Sequence, residues 1–174
     1  MRIGGSALLP AADRLTEDGG NVIAPVVRIL VPGVPKAWQR AGHRIARTSA
    51  GKQFVSSFTP AQTRSEQGAM KMFAQRAMEG RPPIEGPIDL RLCAYMPIPR
   101  SWSKSKQLMA RTGFLLPTGK PDFDNLAKNC GDALTGIVWR DDAQVTDAAC
   151  WKRYSDQPRL LIEVRPARVA GLAV

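Results

Sequence analysis

Acidic side chains are scarce in this chain, 15 against 25 Lys and Arg, and two long stretches have none. No Asp or Glu lies from Gly19 to Ser65, where seven Lys or Arg fall, nor from Leu90 to Pro121, where there are six more. Such spans suit a polyanionic partner, because each phosphate neutralised releases condensed counterions. Histidine occurs once and cysteine three times, as Cys93, Cys130 and Cys150, with no CxxC pair. That composition argues against a zinc site and leaves reduced, buried thiols as the expectation. No apolar run approaches the roughly 18–20 residues of a membrane span. The opening MRIGGSALLPAADR, broken by Pro10, is too weak for a secretory signal. The expectation is a cytoplasmic protein with no membrane contact.

What is present suffices for one domain: 174 residues, 44% of them hydrophobic. Residues 1–24 lack periodicity and read as an N-terminal arm, 25–166 as the folded domain, and 167–174 as a C-terminal tail. Val26 to Val31 (VVRILV) reads as a buried strand. Val34 to Lys52 reads as a basic loop or ribbon suited to backbone phosphate, with Lys36, Arg40, Arg44, Arg47 and Lys52 as DNA-binding candidates and Trp38 available for stacking. Gln53 to Phe58 follows as a short strand. A helix is expected next, with Thr59 as cap, Pro60 in the first turn, Gln62 completing a capping box and Gly80 ending it. Its Met70, Phe73, Ala74, Ala77 and Met78 make one apolar face. Ile88 to Met96 alternates as a strand, and Ser101 to Thr112 reads as a short basic helix. The result is an α/β (α+β) single domain, a mixed sheet packed against two main helices.

The scarce acids gather in one place. Lys120 to Val145 holds Asp122, Asp124, Asp132, Asp141 and Asp142. Lys120-Pro121 predicts an extended lead-in to a helix that starts between Asp122 and Asn125 and ends at Gly136. Leu126, Cys130, Ala133 and Leu134 form its buried side, and Asp124, Lys128 and Asp132 project together from the other. A brief strand is expected over Ile137–Trp139, then a turn at Arg140-Asp141-Asp142, with strands from Val145 and over Leu160–Val164. Hard divalent cations take carboxylates and water as ligands, and clustered carboxylates repel one another unless a cation neutralises them. A metal ion so held would polarise a phosphate and generate hydroxide from bound water. Taken singly these features are weak, since Asp at a helix start is a common cap and Asp-Asp is ordinary in turns.

The ordered string is more specific. Pro121-Asp122-Phe123-Asp124-Asn125-Leu126-Ala127-Lys128, then Asp132-Ala133-Leu134-Thr135-Gly136, then Asp141-Asp142-Ala143-Gln144-Val145 closely resembles the RusA family of Holliday-junction resolvases, many of them from phages and prophages. VPGVPKAWQR and FTPAQT add weaker similarity upstream. The resemblance implies a homodimeric endonuclease, dependent on Mg²⁺ or Mn²⁺, that makes paired symmetric nicks in four-way DNA junctions. It maps the essential carboxylates onto Asp122, Asp124 and Asp142, which would be both metal ligands and catalytic, and the motif lysine onto Lys128. Asp141 is an alternative ligand, and Asp132 has a supporting role. Gly131 costs about 1 kcal/mol relative to alanine inside a helix, and a close backbone approach at the dimer seam would account for it. Two other classes remain open: a non-catalytic branched-DNA-binding protein whose acids are structural, and a small-molecule phosphohydrolase, which has no evident use for a net charge of +10.

Overall fold

The computed structural model of the chain describes residues 26–36, 42–49 and 51–167. The expected arm over 1–24, Trp38, Arg40 and nearly all of the expected tail lie outside the described residues.

Among the described residues the elements are, in order, β1 (Val27–Pro32), β2 (Gly42–Arg47), β3 (Gln53–Phe58), α1 (Ala61–Met78), β4 (Ile88–Pro97), α2 (Lys104–Arg111), α3 (Phe123–Leu134), a 3₁₀ turn (Asp142–Gln144), β5 (Val145–Ser155) and β6 (Arg159–Pro166). Four strands make a mixed sheet in the order β1-β6-β4-β5. β6 is antiparallel to both β1 and β4, whereas β4 and β5 are parallel. A parallel pair cannot be joined by a tight turn and needs a crossover. Here the crossover carries α2, α3 and the Asp141-Asp142 turn, so topology places the whole acidic stretch between β4 and β5. β2 and β3 form a separate two-stranded ribbon.

The core lies where α1 and α3 pack on the sheet. Met70, Ala74 and Met78 of α1 meet Leu126, Cys130, Ala133 and Leu134 of α3 and an inward row that includes Ile29, Ile88, Leu92, Ile162 and Val164. Each large aliphatic side chain fully buried here contributes roughly 1.5–3 kcal/mol. All three cysteines are free. Burial pushes the Cys130 thiol up to about 12, so it packs as a small neutral residue. Among the described residues, no helix is long and apolar enough to cross a membrane.

Several local expectations change. β1 is an edge strand rather than a buried one: Val27 and Ile29 face the core, while Leu30 is 45% exposed. α1 starts at Ala61 with Pro60, not Thr59, at the cap position and no capping side chain. Its left-handed C-cap is Glu79 (φ 51°), one residue ahead of Gly80 (φ 78°), and the Glu79 N–H closes onto the carbonyls of Gln75 and Arg76. Ile137–Trp139 is not a strand. It is part of a turn closed by isolated bridges from Trp139 to Thr135 and Ile84, because the chain must reverse there to deliver Asp142 to α3.

Candidate active site

α3 begins at Phe123, with Asp122 in extended conformation (φ −77°, ψ 157°) at the cap position. Asp is common there because its carboxylate accepts from first-turn N–H groups, yet the Asp122 side chain makes no such bond. Asp124 follows in the first turn, and both side chains are exposed. The lead-in carries a cis Lys120-Pro121 bond and is tied to the sheet by Lys152 of β5. The Lys152 ammonium donates to the carbonyls of Gly119 (2.7 Å) and Pro121 (3.2 Å), directly before Asp122.

Asp142 arrives from the other side. Its Oδ1 accepts from the indole N–H of Trp139 at 2.9 Å and from the Thr135 hydroxyl. Trp139 is fully buried, and a buried indole N–H needs a partner, so core packing sets the position of the carboxylate. Oδ2 lies over Gly131: a Cβ there would sit 2.9 Å from it. The glycine inside α3 therefore makes room for this carboxylate, not for another backbone at a dimer seam.

The turn bearing Asp142 is held by two neighbours. Asp141 accepts from the Ala143 N–H at 2.8 Å and forms a capping box with Gln144. The Gln144 amide uses every position it has. Its oxygen accepts from the N–H groups of Arg140 (2.7 Å) and Asp141 (3.0 Å), and its nitrogen donates to the carbonyls of Ile84 (3.0 Å) and Gly86 (2.8 Å). Asp141 is engaged as a cap, whereas Asp142 is aimed at α3.

Helical geometry shows what this brings together. Lys128 and Gly131 follow Asp124 by four and seven residues and so share its face, with Gly131 about 10 Å further along the axis. Asp142 thus joins the Asp124–Lys128 face two turns beyond Asp124. Asp132 lies beside it, 3.9 Å from the Lys128 ammonium and 3.4 Å from the Gln67 amide of α1. Among the described residues, no three His, Cys, Asp or Glu side chains are grouped closely enough to hold a metal ion. The donors suit a hard cation in kind, and Mg²⁺ commonly takes only one or two carboxylates, completing its shell with water and substrate phosphate.

The basic candidates divide. Arg44, Arg47 and Lys52 are exposed on or beside the β2–β3 ribbon. Lys36 is drawn to α1, its ammonium 3.3 Å from Glu66. Burial pushes the Glu66 carboxyl up, against the opposing pull of Lys36. Sequence reasoning did not single out Lys152, Thr135, Trp139 or Gln144 as parts of the site. Thr135 and Gln144 stand inside the motif string, which was the available signal; Lys152 left none.

Against known proteins, the family described as "Endodeoxyribonuclease RusA" matches residues 32–165. The "Uncharacterized protein YqaN" of Bacillus subtilis (strain 168) is 42% identical over 84 residues, 47% of this chain and 59% of that protein. The chain thus spans less than two thirds of the length of that relative. The family match runs from the last residue of β1 almost to the end of β6 and takes in Asp122, Asp124, Lys128 and Asp142: the chain belongs to the RusA endodeoxyribonuclease family.

Proposed function

We propose that this protein is a structure-selective DNA endonuclease that resolves four-way (Holliday) junctions by paired symmetric nicks, working as a homodimer with Mg²⁺ or Mn²⁺ on cytoplasmic DNA. The observation that carries the reading is the seating of Asp142. A carboxylate held by Trp139 and Thr135, with a glycine vacated for it, on the helix face that bears Asp124 and Lys128 is more than a turn needs. Family membership supports the substrate class.

Following the family motif, Asp122, Asp124 and Asp142 are the carboxylates that would serve the ion, with Asp142 lying two turns along α3 from Asp124; a bound ion polarises the phosphate and lowers the pKa of a coordinated water. The protein's own part is positional. Lys152 fixes the backbone ahead of Asp122, and Trp139 and Thr135 fix Asp142. Lys128 brings a cation to the charge that develops on the phosphate oxygens. A twofold dimer presents two such sites to two equivalent strands of one junction.

That no three potential ligands are grouped to hold an ion among the described residues favours a second reading, a branched-DNA-binding protein without catalysis. One experiment divides the two: an end-labelled four-way junction incubated with Mg²⁺, beside linear duplex and the Asp124→Asn variant. Opposed nicks on the junction, absent with the variant and on duplex, support the resolvase. Tight metal-independent binding without nicks would sink it.

A further inference from the structure

Among the described residues, one face of the β2–β3 ribbon has no evident use inside the molecule. Cross-strand partners place three rungs on it: His43 with Ser57, Ile45 with Val55, and Arg47 with Gln53. All six residues are exposed. The middle rung is the anomaly, because Ile45 is 72% and Val55 69% exposed. The opposite face pairs Gly42 with Phe58, Arg44 with Ser56 and Ala46 with Phe54, and there Phe54 (49%) and Phe58 (47%) are less exposed than Ile45 and Val55, which makes the Ile45–Val55 rung the more exposed apolar pair of the ribbon. The outer rungs are polar: His43 Nδ1 and Ser57 Oγ lie 3.0 Å apart at one end, and Arg47 stands at the other.

Two β-branched side chains at a cross-strand position are good strand formers, but a pair this exposed adds little to a two-stranded ribbon in water. Its surroundings indicate what it meets. The ribbon and the chain on both sides lack acidic residues from Gly19 to Ser65; Arg47 shares the rung's face, Arg44 projects from the other face, and Lys52 stands just before β3. A ribbon that joins cationic side chains on both faces to an exposed aliphatic pair complements nucleic acid that offers both phosphate and uncovered base faces. Linear duplex hides its base faces by stacking, whereas a branch point exposes them, and apolar side chains are known to enter at unstacked steps.

Building on the proposed function, we infer that the Ile45–Val55 rung packs against unstacked bases at the crossover and so supplies preference for branched over linear DNA. Arg44, Arg47 and Lys52 supply affinity common to both. Most of both side chains would leave water, which sets the expected effect at about tenfold or more in junction affinity.

The test uses the full chain without divalent ion, a four-way junction carrying 2-aminopurine at the crossover, and a linear duplex. Wild type should bind the junction more tightly and raise 2-aminopurine fluorescence. Ile45→Ser/Val55→Ser should lose the fluorescence rise and about tenfold in junction affinity, with duplex affinity unchanged. Ile45→Val/Val55→Ile, which keeps the rung apolar, should behave as wild type. Arg47→Ala should weaken both substrates alike. If wild type shows no preference for the junction, the parent reading falls and this inference with it. If wild type prefers the junction and the serine variant does too, the inference alone falls. A serine variant that changes oligomeric state in sedimentation would assign the face to a second copy of the chain and also overturn it.

Discussion

The turn that carries Asp142 and the ribbon that carries Arg44 and Arg47 are both short, polar and near-surface, yet they are built in opposite ways. In the turn, the Gln144 amide makes four hydrogen bonds, Asp141 caps the 3₁₀ turn, and buried Trp139 holds Asp142. In the ribbon, the strands pair with each other and with no strand of the main sheet, and the middle of one face is left apolar in water. A carboxylate that must keep its place beside an ion to within a few tenths of an ångström gains from many fixed partners. A surface that meets a deformable polymer gains from reach and from groups left unsatisfied until the partner arrives.

The first way to sharpen this contrast is to remove a carboxylate from the rigid region. Asp124→Asn should lower junction cutting by about a thousandfold or more while leaving junction binding in place; nicking and gel-shift assays on one preparation would show it. Normal cutting by that variant would end the metal assignment. Next in size is Trp139→Phe, which keeps an aromatic ring in the core and deletes the donor to Asp142. Cutting or metal affinity should fall about 10–100-fold, seen as a higher Mg²⁺ concentration at half-maximal rate.

Gly131→Ala sets stability against function. Alanine is worth up to about 1 kcal/mol over glycine in a helix interior, but its Cβ would press on Asp142 Oδ2. Cutting should fall about tenfold while the melting temperature holds or rises. A melting temperature that drops sharply would mean that Asp142 cannot yield. The smallest effect belongs to the ribbon rim: Arg44→Ala should weaken binding severalfold and reduce the salt slope by about 1. An unchanged slope would remove Arg44 from the phosphate contacts.

Much of the fold was legible because the strong signals were local. The apolar repeat of α1 and the buried side of α3 follow from spacings of three and four residues. The misses fall where local signals are ambiguous. Three apolar residues, Ile137–Trp139, fit a strand as well as a turn, and periodicity cannot decide over so short a run. The start of α1 shifted by one residue, as helix ends commonly do. Gly131 was recognisable as an anomaly, but what approaches it depends on how residues 135–142 fold back.

By itself the sequence determined which residues are the candidates for the chemistry, their order, and which face of α3 bears Asp124 and Lys128, since helix periodicity converts spacing into direction. Its charge distribution also pointed to an anionic partner. Tertiary structure alone decided that Asp142 lies over Gly131, that Lys152 steadies the backbone ahead of Asp122, that Lys36 goes to Glu66 instead of joining the ribbon, and that the Ile45–Val55 rung faces outward. The reason is common to all four. Each joins residues on different elements, or depends on which side of an element turns to the body of the protein. Those outcomes follow from sheet register and helix packing, which no local spacing records.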